Sequence, residues 1–301
     1  MRIFVAGATG VIGRRVVPQL IDAGHRVTAV GRTPEKQNLL TKLGATPVMV
    51  DLFDSEDVGL AVEGHDVVIN LATKIPPSSR AFMPGAWRDN TYIRRFASGN
   101  LARAASATRA ERFIQESFAP IYADAGDGWI DEQSPVKVPK YARAVLDAEA
   151  AAAGFTERGG IGIVLRFAFF YGPDSGYLID TIKMVRKGFA PTFGKAESFM
   201  SSVSHDDAAT GVIAALGARK GVYNVSDDEP LTRREYIDSL AAALGVKPPR
   251  IPPAFIARLL GSVGEVLSRS QRISNKKLKN ETGWTPVFPS VREGWKVSVG
   301  T

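Results

Sequence analysis

Apolar positions come in short runs set between longer amphipathic stretches, and the two alternate through the first three-quarters of the chain. Arg2–Ala6 carries four consecutive apolar residues and reads as a buried strand. Ile12–Ala23 has helical spacing and is closed by Gly24. Arg26–Val30, Pro47–Val50 and Asp66–Leu71 are the next predicted strands. A long helix over Asn90–Ala107 leads to a strand at Arg112–Gln115. Tyr141–Ala153 is a predicted helix ended by Gly154, and Ile163–Phe167 a strand. A helix at Asp207–Leu216 and a strand at Gly221–Val225 complete the series. Strands that are apolar on both faces and separated by helices are the pattern of a parallel sheet covered on both sides.

That rhythm fails from about Gly172 to Ser204 and again after Asp227, where loops and helices with little strand character are expected. Residues 1–171 and 205–226 are therefore assigned to the sheet domain, and 172–204 with 227–301 to a smaller, mostly C-terminal substrate-binding part. The smaller part should lie over the carboxyl ends of the strands, where ligands bind in open α/β sheets. The proline- and glycine-marked segment 75–86 reads as a mobile lid over that crevice.

The chemistry starts at Gly7-Ala-Thr9-Gly10-Val11-Ile12-Gly13, which follows a strand and opens a helix. Glycines there permit a tight turn and close approach of backbone to a pyrophosphate, and the helix start offers free N–H groups. The expected fold is thus α/β, a Rossmann-type doubly wound sheet, and the ligand a nicotinamide dinucleotide cradled by Gly7, Thr9, Gly10, Val11, Ile12 and Gly13. A carboxylate after the second strand would accept bonds from a ribose 2′-hydroxyl. The chain instead has Gly31-Arg32-Thr33, which suits a 2′-phosphate, with Arg14 nearby. NADP(H) is the expected cofactor, and NAD(H) the alternative.

Composition narrows the rest. Of 301 residues, 45% are hydrophobic and 23% charged, ordinary for a packed globular chain. The net charge of +7 comes from scattered basic residues without a nucleic-acid module, and suits a phosphate-bearing ligand. The start does not read as a signal peptide, no apolar run has membrane-spanning length, and the absence of cysteine fits a reducing compartment. A cytoplasmic protein acting on a small molecule, with no nucleic-acid or membrane partner, is expected.

Taken with further motifs, the glycine turn resembles the extended short-chain dehydrogenase/reductase superfamily, the NAD(P)-dependent epimerase/dehydratase group, nearly end to end. Asp51-Leu52 resembles its acid–apolar pair beside the adenine, and Asn70-Leu71-Ala72 its fourth-strand motif. Asn90, Asn100-Leu101, Leu165-Arg166, Tyr171-Gly172-Pro173, Tyr223-Asn224-Val225 and Gly283-Trp284-Thr285-Pro286 fit as well. The resemblance implies cofactor contacts at Asp51, Leu52, Leu71, Ala72, Thr73, Tyr141 and Phe167, and pairing of two long helices in a homodimer.

Family members use a serine or threonine to orient the substrate oxygen and a tyrosine as acid or base. A lysine four residues after the tyrosine lowers its pKa. Tyr141 matches the tyrosine, but the lysine position is Val145. The hydroxyl slot, counted from Ile121-Tyr122-Ala123, is Phe118, with Ser117 one residue earlier. Ser117 and Tyr141 remain the candidate catalytic pair. A tyrosine without a neighbouring cation donates a proton but is a poor base, which favours carbonyl reduction.

Where nucleotide-sugar enzymes carry a diphosphate-binding asparagine, this chain has Phe169. Aromatics and methionines follow at Tyr177, Met184, Phe189, Phe193, Phe199 and Met200, and Phe82, Met83 and Trp87 lie on the expected lid. An apolar or aromatic substrate is expected, with Phe82, Trp87, Phe118, Phe169, Phe170 and Phe193 lining its site. His205-Asp206-Asp207 reads as a helix start and not a metal site, and Arg269–Lys279 as a solvated basic surface. An NADP(H)-dependent oxidoreductase is the leading expectation. A nucleotide-sugar epimerase or dehydratase and a non-catalytic NADP(H) sensor are the alternatives.

Overall fold

A computed structural model describes residues 1–77 and 79–300, apart from the side chains of Tyr177 and Arg258. The first strand, β1 (Arg2–Ala6), shows how the sheet is covered. Ile3 and Val5 belong to one apolar core and Phe4 and Ala6 to another, because successive side chains leave a strand on opposite faces. The chain continues through α1 (Gly13–Asp22), β2 (Arg26–Val30), α2 (Pro34–Lys42), β3 (Thr46–Val48), α3 (Ser55–Val62) and β4 (Val67–Asn70). Then come α4 (Arg88–Tyr92), α5 (Ser98–Ala107), β5 (Arg112–Phe118), β6 (Trp129–Ile130), α6 (Ala144–Glu157) and β7 (Ile161–Phe167). The remaining elements used below are β8 (Phe169–Tyr171), α7 (Gly176–Arg186), β9 (Phe199–Met200), β10 (Ser202–Ser204), α8 (His205–Ala214), β11 (Gly221–Val225), β12 (Leu231–Thr232) and α9 (Arg233–Ala243).

Seven strands form one parallel sheet in the order β11-β7-β5-β4-β1-β2-β3. The order reverses at β1, between β2 and β4, and opens the ligand crevice of a doubly wound sheet at the carboxyl ends of those strands. Helices α1 and α8 pack together over one face, and α3, α5 and α6 over the other.

Several boundaries differ from the expected ones for local reasons. The predicted strand at Pro47–Val50 is β3, Thr46–Val48. The helix expected at Asn90–Ala107 is interrupted by a π-helical turn at Ile93–Ala97, which brings Arg94 inward. Tyr141 precedes α6, in a single 3₁₀ turn of Lys140–Ala142. Gly154 does not end α6. The helix runs on to Glu157 and stops at Arg158, where Gly159 follows with φ 95°. The helix expected from Asp207 begins at His205, because the Ser204 hydroxyl accepts the Asp207 N–H at 2.9 Å.

After Gly172 the chain is less bare of strands than expected. β8 pairs with β10, β9 with β12, and Arg272–Ile273 with β6. A third apolar core gathers only residues from Phe169 onward, among them Tyr171, Leu178, Met200, Tyr236, Leu240 and Trp295. α9 enters this core behind a capping box of Thr232 and Glu235.

Candidate active site

The glycine turn is shaped by close approach. Gly7 has φ 80°, and a Cβ there would lie 2.4 Å from the Leu71 carbonyl carbon. A Cβ on Gly13 would lie 2.3 Å from the Gly7 carbonyl oxygen. The Gly10 N–H closes the turn on that same oxygen at 3.0 Å. No side chain caps α1 at Ile12, and its first turn carries no acid; Arg14 and Arg15 N–H already donate to the Gly10 and Ile12 carbonyls, which leaves the N–H groups of Val11, Ile12 and Gly13 for an anion. This cradle fits a dinucleotide pyrophosphate.

Around the turn, expected residues divide. Arg32 is exposed and has no partner among the described residues, so its guanidinium is available to a phosphate. Thr33 instead caps α2, accepting the Lys36 N–H at 3.4 Å. Arg14 is drawn away to a salt bridge with Asp174. Arg15 joins the same carboxylate at 3.0 Å and Asp206 at 2.5 Å. Asp51 accepts the Phe53 N–H at 2.9 Å, and Asn100 donates to the Leu52 carbonyl at 3.0 Å, which fixes the loop after β3. Asn70 is fully buried and holds the end of β4, donating to Ser98 and Gln115 and accepting the Ala72 N–H at 3.1 Å. Leu71 is buried, Ala72 half-buried and Thr73 exposed beside the turn. The Phe167 ring is 1% exposed and packs on Phe170 at 5.3 Å, so only its backbone can face a ligand.

The expected catalytic pair is not brought together. Ser117 is fully buried and donates to Glu149 Oε1 at 2.5 Å. That carboxylate also takes a bidentate pair of bonds from Arg166, at 2.8 and 2.7 Å. Ser117 thus belongs to a buried ion-pair network, because its hydroxyl points to a charged residue of α6. Val145 is 2% exposed in an apolar cluster with Ile121 and Ala142, so no cation occupies the lysine position.

Tyr141 is half-buried, and its hydroxyl has no hydrogen-bond partner among the described residues. Burial pushes its pKa up to about 12, against the opposing charges of Arg269 and Arg94. Arg94 is itself 3% exposed and donates to Glu116 at 2.8 Å, while its Nε and Nη1 have no partners among the described residues. Arg269, expected on a solvated surface, is buried and donates to the carbonyls of Pro120 and Tyr122.

Trp87 lies against Tyr141 with ring centroids 4.5 Å apart. Both line a cleft of about 460 Å³ together with Phe82, Met83, Arg88, Lys140, Leu260 and Val263. The described residues of the expected lid form successive turns, with Trp87 Nε1 donating to the Ala81 carbonyl at 2.8 Å; Ser78 is outside the described residues. Phe118 and Phe169 meet edge-to-face at 6.0 Å, and Phe170 lies 5.9 Å from His205. Phe118, Phe169, Phe170 and Phe193 do not line the Tyr141 cleft, and the Tyr177 side chain is outside the described residues. Leu260 and Val263 carry no signal in the sequence, because their stretch is distant from Tyr141 along the chain and holds no motif. Glu149 has one, as a carboxylate within an alanine-rich helix.

His205 Nδ1 donates to the Asp174 carboxylate at 2.9 Å, and Asp207 accepts the N–H groups of Val287 and Phe288. Among the described residues no group of three histidines or acids could hold a metal, and no helix is long and apolar enough to cross a membrane.

Residues 7–162 match the family model described as NAD(P)H-binding. The chain is 33% identical, over 98% of its length and 99% of the relative's, to a 3-diazoavenalumate denitrifying reductase of a Streptomyces species. It is 26% identical to a 2-alkyl-3-oxoalkanoate reductase of Shewanella oneidensis, over 91% of this chain and 73% of that one. Human epimerase family protein SDR39U1 (isoform 2), solved with NADPH, superposes over all of both chains with a TM-score of 0.82 at 21% identity, a likeness of fold. With its glycine cradle, the matched model and the Streptomyces relative, the chain belongs to the NAD(P)H-binding family, and its seven-stranded sheet is the fold it shares with the epimerase family protein SDR39U1.

Proposed function

We propose that this protein is an NADP(H)-dependent reductase of a small, largely apolar or aromatic carbonyl compound. The observation that carries the reading is Tyr141 standing against Trp87 in the wall of an aromatic cleft, its hydroxyl unengaged. When bound, the reduced nicotinamide supplies a hydride. Gly7, Thr9 and Gly10 shape the turn and Val11, Ile12 and Gly13 hold the pyrophosphate through backbone N–H groups, and Arg32 pairs with a 2′-phosphate. Asp51 and Leu52 flank the adenine, and Leu71, Ala72 and Thr73 border the cofactor along β4. Tyr141 donates its proton to the substrate oxygen as negative charge grows there. Its high pKa keeps it protonated at neutral pH, which suits reduction. Phe169, where nucleotide-sugar enzymes carry an asparagine, offers no amide to a diphosphate. Residues 172–204 and 227–301, around an apolar core that also takes in Tyr171, form the substrate-binding part. The relative named for a 2-alkyl-3-oxoalkanoate, a ketone, supports a carbonyl acceptor.

A second reading, a sensor that binds the cofactor without turnover, is favoured by one observation: Val145 is packed in an apolar cluster where the family places a lysine. One experiment separates the two. NADPH oxidation is followed with a panel of aryl and alkyl ketones and aldehydes. Turnover abolished by Tyr141→Phe supports the reductase, whereas NADPH binding without turnover on any member supports the sensor.

A further inference from the structure

We propose that the Tyr141 cleft selects substrates bearing a carboxylate, held by Lys140 and Arg88 while the apolar body lies along Trp87. This deepens the reductase reading and rests on it. The cleft lining includes two cations and no acid. Lys140 is exposed, with no partner among the described residues. Arg88 reaches only a loose contact with Asp89, at 3.7 Å, and that carboxylate is already held by Lys74 at 2.7 Å. Both side chains are exposed, Arg88 by 87%, and both residues line the cleft. The lining also carries apolar groups beside Thr91 and Ser262: Trp87 tilted on Tyr141, Leu260 and Val263 from a later segment, and Phe82, itself 43% exposed. An open cleft with aromatic side chains and two exposed cations in its lining matches an amphiphilic acid, with the ring or alkyl body against the aromatics and the anion at a cation. The three rotatable donors of Lys140 suit a carboxylate approaching from varied angles.

The test compares trans-cinnamate with its methyl ester by calorimetry on the protein saturated with NADPH. The acid is expected to bind on the order of tenfold more tightly than the ester, a charge-assisted preference. That preference should shrink with added salt. Lys140→Met and Arg88→Met should each lower the acid-to-ester ratio, Lys140→Arg should restore most of it, and Lys140→Glu should invert it. The ratio is internally normalised, so loss of folded protein does not mimic the effect. Equal affinity for acid and ester, a ratio unmoved by both Met variants, binding of neither probe up to about ten millimolar, a far weaker limit than useful recognition needs, or tighter binding of UDP than of cinnamate each overturns the assignment. NADPH saturation, measured first in the same titration, tests cofactor binding separately from substrate binding.

Discussion

Trp87 lies across Tyr141 with the ring planes 42° apart and the centroids 4.5 Å apart, so a residue of the segment after β4 helps to bury the tyrosine just before α6. Burial is the largest influence on the Tyr141 hydroxyl and drives its pKa up to about 12. Trp87→Ala opens that wall to water. The Tyr141 pKa should then fall toward the ordinary value of about 10, as read by ultraviolet difference titration against a Tyr141→Phe control. An unchanged titration would mean that the ring contact does not desolvate the phenol.

Tyr141→Phe removes the proposed proton donor while keeping the ring against Trp87. Turnover should drop by about a hundredfold or more, the usual scale of a lost general acid, with NADPH affinity within about twofold of the parent, as expected for a group that acts in the reaction step alone. In the parent the rate should stay level through neutral pH and decline only in strong alkali, because the hydroxyl is lost as pH rises through a raised pKa.

Arg32 is the group that can tell the two dinucleotides apart. Arg32→Ala should weaken NADPH by roughly ten- to a hundredfold, the worth of one or two charge-assisted bonds, and leave NADH nearly unchanged. Direct titration with both dinucleotides checks it, and equal losses for the two would remove the 2′-phosphate role.

Gly7→Ala would place a methyl 2.4 Å from the Leu71 carbonyl carbon, at a φ of 80°. The backbone must shift, so dinucleotide binding should be lost and stability should fall by about 1–3 kcal/mol, the scale of such strain. Calorimetric binding and a urea midpoint report the two effects separately.

Acid should unfasten α1 from the loop after β8. Burial pushes Asp174 up, but the hydrogen bond and charge of Arg15, with help from His205, outweigh it and hold the carboxyl at about 2. A depressed acid contributes stability that is present above its ordinary pKa and lost as pH falls from about 4 toward 2. His205, held neutral by burial against the pull of Asp174, adds stability that is lost in the same direction, starting below its ordinary value of about 6.5. Urea midpoints across this range should fall more steeply for the parent than for Asp174→Asn.

The sheet is legible in the sequence because its strands are apolar runs with the glycine turn between the first strand and the first helix, and local spacing is enough to reveal both. α2 is not, because only Leu40 of its residues is buried, so its face carries little periodic signal. The site is legible in part. The Gly7–Gly13 cradle is local, and residue identity alone describes it. Ser117 misleads, because a serine near a catalytic motif looks the same whether its hydroxyl meets a substrate or a carboxylate such as Glu149, distant in sequence.

What the sequence determined by itself was the succession of the seven strands of the main sheet, the glycine cradle, Arg32 in place of an acid, and Val145 in place of a lysine, since each is a matter of residue identity at short spacing. Only the tertiary structure decided that Arg14 turns to Asp174, that Arg94 and Arg269 are buried cations near Tyr141, and that residues near 260 wall the cleft with Trp87. Those outcomes depend on which distant segments meet when the apolar cores close, and burial and charge pairing are set by that meeting and by nothing local.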